Sequence, residues 1–380
     1  MADSLAFVEA LPLIDHHCHG VRTDPLDRAG VESLLTEADV PGPPGTTLFD
    51  SQIGLAMRRW CAPMLDLPPH AKPERYLARR AQLPPEDVAR RFLTPTRITA
   101  YCVDTGFAPG DLTTPEQLAA LGEARAHEIV RLERVAEQVA ADDGVTATGF
   151  ADAVRDRLAA RARTAIGFKS IAAYRAGLSL AGERPDDAEV TKAAEALLAG
   201  AEGRDDGPRV ADEVLHRFLV WTGLDLGLPV QFHVGYGDRD LDLHRADPLL
   251  LTDLLRATEP LGVPIMLLHN YPYHRNAGYL AQVFSHVYID VGLATHGVGL
   301  RAPAVVAEAL ELTPFTKFCF STDAYGLPEL FYLGTLLFRR GLSDVLRTGL
   351  DEGIWRYDDA IRIAGLIGAG NARRAYNLPS

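Results

Sequence analysis

The sequence predicts an α/β chain folded as a closed (β/α)8 barrel, with a helical cap inserted after the first strand. Three observations predict it. Short apolar runs alternate with longer segments of helical period, which is the mark of βα units on a parallel sheet. Eight such runs can be counted. Each ends in polar residues, although a strand buried on both faces stays apolar until it leaves the core.

In chain order the predicted strands are Leu11–His17, Ile98–Thr105, Glu128–Glu133, Thr164–Ser170, Pro229–Val234, Pro264–Asn270, Val287–Gly292 and Lys317–Asp323. Between them, apolar residues three and four apart predict helices over Ala246–Leu261, Ala277–Phe284, Pro303–Leu312 and Leu330–Leu346. The largest irregular piece, Gly20–Thr96, has Pro-rich turns and Arg-bearing helical stretches such as Glu74–Gln82. It follows strand one, and βα loops leave a barrel at the C-terminal face where active sites sit, so it is expected to cap the site within a single domain spanning residues 1–380. The tail from Asp358 to Asn377 reads as an amphipathic helix. No internal repeat, low-complexity tract or heptad array interrupts the pattern.

With 380 residues, 47% of them hydrophobic, the chain can bury a large core, and disorder is excluded. Its 51 acidic against 38 basic side chains give a net charge of −13. That balance points away from nucleic acid and membrane surfaces and toward a small-molecule substrate. The four cysteines, Cys18, Cys61, Cys102 and Cys319, lie far apart without CxxC pairing, which argues against a disulfide framework or a zinc ribbon. The N-terminus shows no basic n-region, and nowhere do eighteen apolar residues run together, so the expected location is cytoplasmic. A homo-oligomer is left open.

The strand ends carry the chemistry. Period-two alternation predicts that Asp15, His17 and His19 share one face of strand one while His16 and Cys18 point the other way. An HxH pair on one face is a bidentate clamp for zinc, manganese or iron, because neutral imidazoles one strand repeat apart reach the same ion. Strand five ends with His233, strand six with His269 and strand eight with Asp323. A lone histidine at a strand end is more often structural than a ligand, but these five converge near one barrel axis. One or two divalent ions are expected.

Lys169 ends strand four. It either snorkels or pairs with an acid, points into the mouth as a carbamate bridging two metals, or holds a substrate carboxylate as a plain cation. Arg131 and Glu133 share a face of strand three, and Tyr174 and Arg175 follow strand four. They are read either as barrel ion pairs or as the recognition surface for a substrate carboxylate, which suits the guanidinium fork. Asp104 and Asp290 are expected to support ligands or structure. The GYG after strand five lacks the GxGxxG pattern, Ser321 lacks a GxSxG elbow, and no nucleophilic triad emerges.

The segments IDHHCHG, HVGYGD, LLHNYPYHRNAGYLA, YIDVGLA and FSTDAYGLPE together resemble the amidohydrolase superfamily across nearly the whole chain. GFKSIAAYRAGL and STDAYGLPELFYLG are most similar to the amidohydrolase-2 type domain that some fungal and plant proteins fuse to a glutamine-synthetase-like domain. That second domain is absent from this sequence. The resemblance implies a metal-dependent (β/α)8 hydrolase, with His17, His19, His233, His269 and Asp323 at the family's metal and catalytic positions. It further implies metal-activated water as the nucleophile, Asp323 as the proton acceptor, and His269 as a second-metal ligand or an oxyanion stabiliser. The substrate it implies is a small carboxylate-bearing amide, a γ-glutamyl amide among them. The alternatives are a non-oxidative decarboxylase of the same fold and a non-catalytic binding domain.

Overall fold

The computed structural model describes residues 5–107, 110–201 and 207–379. Seven parallel strands form one curled sheet in sequential order: β1 Leu13–Cys18, β2 Ile98–Asp104, β3 Arg125–Arg131, β4 Gly167–Ser170, β5 Val230–Val234, β6 Ile265–His269 and β7 Val287–Ile289. The architecture is TIM-like. The sheet has seven strands rather than eight, because the run Lys317–Asp323 is extended without strand pairing of its own. It still spans both sheet edges. The Ile289 N–H donates to Lys317 O at 3.0 Å and the Cys319 N–H to Ile289 O at 2.9 Å, while on the other side the His16 N–H donates to Phe320 O at 3.1 Å.

Alternation along the strands divides the apolar residues into two cores. Phe168, Val230, Phe232, Ile265, Leu267, Phe318 and Phe320 face the surrounding helices. Ile14, Cys102, Ile129, Met266, Leu268 and Cys319 fill the inside of the curl, where they meet Ala369, Ala372, Ala375, Tyr376 and Leu378 from the C-terminal segment. That segment is helical over Tyr357–Gly365 and Asn371–Ala375, with a wider π turn at Leu366–Gly370 between them. The glycines of that turn let the chain bend. Helix over Ala246–Leu261 is confined to Thr252–Thr258, because Pro248 and Pro260 confine the flanking turns to 3-10 geometry. The longest helix, Pro328–Asp351, follows the eighth segment. Among the described residues no helix is long and apolar enough to cross a membrane.

The insertion after β1 divides by position. Residues 27–48 contribute to the lining of the large cavity described below. Helices Pro73–Ala81 and Pro85–Leu93 instead run by the helix Pro328–Asp351. Glu329 fastens the first of them: Arg80 Nε donates to its Oε1 at 2.7 Å and Tyr76 Oη to the same oxygen at 3.1 Å, all three residues being buried. Glu329→Ala should therefore cost about 3–5 kcal/mol, because it leaves a buried guanidinium without its counter-charge. Urea unfolding measures this, and a loss below about 1 kcal/mol would refute the anchor.

Acid should also weaken the fold through His286, which precedes β7. Burial lowers its pKa to about 4, and its Nε2 lies 3.2 Å from Thr258 Oγ1. The neutral ring is kept in the fold while the unfolded chain takes up a proton below about pH 6.5. The contribution is complete above that pH and lost as pH falls from about 6.5 towards 4, with roughly 3 kcal/mol as its ceiling. Unfolding free energies of wild type and His286→Gln across that window should converge at the acid end.

Candidate metal centre

The strand ends gather at one mouth, but not always by alternation. On β1, Leu13 and Cys18 both belong to the outer core although strict alternation over a five-residue step would put them on opposite faces, because the register slips between Asp15 and Cys18. The slip corrects the predicted faces. His16, His17 and His19 reach inward, whereas Asp15 turns aside to accept hydrogen bonds from the Thr322 N–H (2.9 Å) and Thr322 Oγ1 (2.5 Å). On β6, His269 has the parity of Ile265 and Leu267, which face outward. A left-handed backbone at His269 (φ 66°) and Asn270 (φ 59°) swings its ring into the cavity. Asp323 is left-handed too, at φ 50°. Such conformations are uncommon outside glycine and concentrate at working sites.

Asp323 is the hub. Its Oδ1 lies 3.1 Å from His17 Nε2 and 3.4 Å from His19 Nε2, and its Oδ2 lies 3.2 Å from His269 Nδ1. The last contact is out of hydrogen-bond alignment, so His269 Nδ1 is buried and unpartnered. Ligand atoms of His17, His269 and Asp323 lie within 4.8 Å of one another, as do those of His17, His19 and Asp104. Lys169 Nζ stands 3.4 Å from His17 Nε2, and Lys169 is buried. His233 is set apart: its Nε2 lies 3.2 Å from Tyr236 O, while its ring lies 4.6 Å from that of His269 and 4.5 Å from that of Tyr174. The ligand atoms of His269 thus group with those of His17 and Asp323, and its ring also packs against that of His233.

Burial dominates the electrostatics. It lowers His17 to about 4, with Lys169 adding to the effect, and it holds His233 and His269 well below the usual histidine range. The same burial lowers Lys169 to about 8 against the pull of Asp323 and Asp104. Asp323 goes the other way: burial would raise it, but His269 and the His17 and His19 rings beside its oxygens outweigh burial and keep it well below the usual carboxylate range. Neutral imidazoles around an ionised carboxylate are the protonation states that metal binding requires. Together with the orphaned His269 Nδ1, that donor set fits a divalent ion.

The mouth opens into a cavity of about 1400 Å³ lined by His17, His19, Lys169, His233, His269 and Asp323, and by Arg131, Tyr174, Arg175 and Glu37. Arg131 is committed to Asp104, its Nη2 donating to Oδ2 at 2.5 Å and its Nε at 3.2 Å. Glu133 is absent from the lining. The chain enters the helix Leu132–Ala140 at this point, so period two ends and Glu133 turns away to accept from Ser170 Oγ (2.7 Å), the Ile171 N–H (3.0 Å) and His216 Nδ1 (3.1 Å). Arg175 is different again, with Nε and Nη1 both buried and unpartnered. Sequence reading missed Gln231, a polar residue inside the apolar run PVQFHV that could have drawn notice. It also missed Glu37, which sits in a loop with no local signal.

No family model matches the chain. Protein fluG of Emericella nidulans is 34% identical over 225 residues, which is 56% of this chain and 26% of that protein, so the match spans about a quarter of the relative's length. A candidate metal-dependent hydrolase from Lactobacillus casei superposes with a TM-score of 0.85 at 29% identity, covering 99% of this chain and 98% of the other. Uronate isomerase of Thermotoga maritima gives a TM-score of 0.62 at 13% identity over 97% and 95%, and that of Bacillus halodurans 0.63 at 13% over 98% and 95%. These last two show a shared fold. The chain thus has the fold of metal-dependent hydrolases, with isomerases among its structural neighbours.

Protein prepared without chelator should carry about one or two divalent ions per chain, and His17→Ala or His19→Ala should release most of them by removing half of the clamp. Elemental analysis of the three proteins checks this. Metal-free wild type, or variants that retain full occupancy, would contradict the ligand assignment.

Proposed function

We propose that the protein is a metal-dependent amidohydrolase that cleaves the C–N bond of a small carboxylate-bearing amide, with γ-glutamyl amides as the leading substrate class. The observation that carries this reading is one cavity holding both the His/Asp cluster and the unpartnered guanidinium of Arg175. The likeness to the Lactobacillus casei protein supports the hydrolase class.

His17, His19, His269 and Asp323 would hold the ion, zinc in the first instance, with His233 and Lys169 beside them. A divalent ion at such a donor set supplies carbonyl polarisation and lowers the pKa of water. Asp323 takes the proton released as water attacks and returns it to the leaving amine. Arg175 pairs with the substrate carboxylate and fixes the scissile bond over the cluster. Tyr174 borders His233 and adds an apolar wall with a polar tip. Lys169, whose pKa burial lowers to about 8, would join the ligands if its amine, once deprotonated, added to CO2 as a carbamate able to serve two ions. Residues 27–48 form the part of the insertion that closes over substrate.

Zinc-, manganese- and iron-loaded protein should release amine from members of a panel of γ-glutamyl amides and acyl amino acids. Asp323→Asn should lower kcat by roughly 10²–10⁴-fold with the fold intact. Arg175→Met should raise KM by roughly ten- to hundredfold for want of a charged hydrogen bond, with a smaller change in kcat. Lys169→Ala should regain activity when a short carboxylic acid is supplied. Release of CO2 without amine would replace this reading by decarboxylation, and turnover of uronates alone would replace it by isomerisation.

A further inference from the structure

Beneath the mouth, five polar side chains run across the inside of the curled sheet. Asp290, His16, Tyr376, Gln231 and His17 are each no more than 4% exposed. They are joined in sequence. His16 lies 2.8 Å from Asp290 Oδ2 through Nε2 and 3.1 Å from Tyr376 Oη through Nδ1. Gln231 lies 2.8 Å from Tyr376 Oη through Nε2 and 2.8 Å from His17 Nδ1 through Oε1.

Proton positions follow from counting donors. Gln231 Nε2 also donates to the carbonyl oxygen of His16 at 2.8 Å, and since that oxygen can only accept, the amide cannot be turned over. Oε1 therefore faces His17 Nδ1, which must carry the proton. Tyr376 Oη accepts from Gln231, so its own hydrogen goes to His16 Nδ1. His16 Nε2 then bears the proton that Asp290 accepts. Every link donates in the same direction, from His17 towards Asp290, and such chains polarise one another.

We propose that Gln231, Tyr376 and His16 are positioning residues that lock His17 as the Nδ1–H tautomer and so aim its Nε2 lone pair at the metal centre. The purpose assigned to that lone pair rests on the proposed function; the chain itself does not. Two features show that the fold accommodates it. Gly167 of β4 faces Tyr376, and a Cβ there would lie 3.3 Å from the ring and 3.1 Å from Ile129 Cδ1. Asp290 Oδ1 accepts the His269 N–H at 2.8 Å and the Gly292 N–H at 2.9 Å. One carboxylate thus ends the chain that orients His17 and also holds the left-handed turn that presents His269. The C-terminal segment, far from the mouth in sequence, acts on the site through a single hydroxyl.

Two measurements test this. In metal-free protein labelled with ¹⁵N-histidine, with the His17 signal identified by its loss in His17→Gln, the ring should show a protonated Nδ1 and an unprotonated Nε2. An Nε2–H tautomer would overturn the proposal whatever the protein binds. Co²⁺ affinity, measured by chelator competition, should then fall about tenfold or more in both Tyr376→Phe and Gln231→Leu, in keeping with the effect of orienting groups on metal affinity. Affinities within twofold of wild type in both folded variants would leave these residues a purely structural role and refute the proposal. Wild-type protein that binds no Co²⁺ yet shows the Nδ1–H ring would instead defeat the metal reading and leave the tautomer lock standing.

Discussion

A carboxylate withdrawn from water needs a compensating charge or donors, and Asp323 sits buried among three imidazoles. An isolated buried charge costs far more than a fold of this size can spare. His17, His19 and His269 surround the two oxygens of Asp323, where they would hold a divalent ion that balances the charge. That requirement propagates outward. His17 and His19 can both face the carboxylate only because β1 slips its register, and His269 only because its backbone is left-handed. Left-handed residues cost of order 1–3 kcal/mol each, so they persist where surrounding bonds over-determine them. Here those bonds are visible: the Asp323 N–H donates to His17 O at 3.0 Å, and the Tyr271 N–H donates to His269 O at 2.8 Å.

The two cores divide the labour that makes this possible. The outer core of helix-facing apolar residues holds the sheet in its curl. The inner core is graded along the strands. Ile14, Cys102, Ile129, Met266 and Cys319 pack the closed end against the C-terminal segment, and polar residues begin one strand repeat higher. His16, Gln231 and Asp290 occupy this middle layer, fully buried and joined to one another through hydrogen bonds. The mouth above is consequently built on a polar floor with defined donors and acceptors, and its ligands cannot rotate freely.

How far the sequence revealed this depends on where alternation held. On β4 and β5 it did: Gly167 and Lys169 face inward together, as do Gln231 and His233, because each strand is regular and its partner register is unbroken. On β1 and β6 it did not. A one-residue slip and a left-handed turn are both invisible to a period-two reading, and they change which of Asp15, His16 and His269 reach the cavity. Glu133 was placed with Arg131 by the same rule and left it because helix geometry begins between them. The eighth run was legible as an apolar segment, but its strand pairing was not, since it makes one isolated bridge to β7 and single hydrogen bonds to β1 rather than a ladder. The convergence of the polar strand ends was legible because it depends only on chain direction in a parallel sheet, which no local slip can reverse.

The charges around the cavity narrow what it can receive. Five cations line it, and four are already engaged: Arg131 by Asp104, Arg209 by Asp240, Arg28 by Glu32 and Glu74, and Lys169 by its place against His17. Arg175 alone retains buried donors without acceptors. On the opposite side Glu37, which has no ion pair among the described residues, is raised to about 7 by burial and by Asp323 and Asp238. A carboxyl group poised near neutrality does not repel an anion as a full charge would, and it can donate as well as accept. The cavity therefore presents one committed anion receptor, one adaptable hydrogen-bonding acid and a cluster of neutral bases. A ligand complementary to all three would carry a single carboxylate at one end and neutral polar groups along its length, and the proposed amide substrate has that polarity.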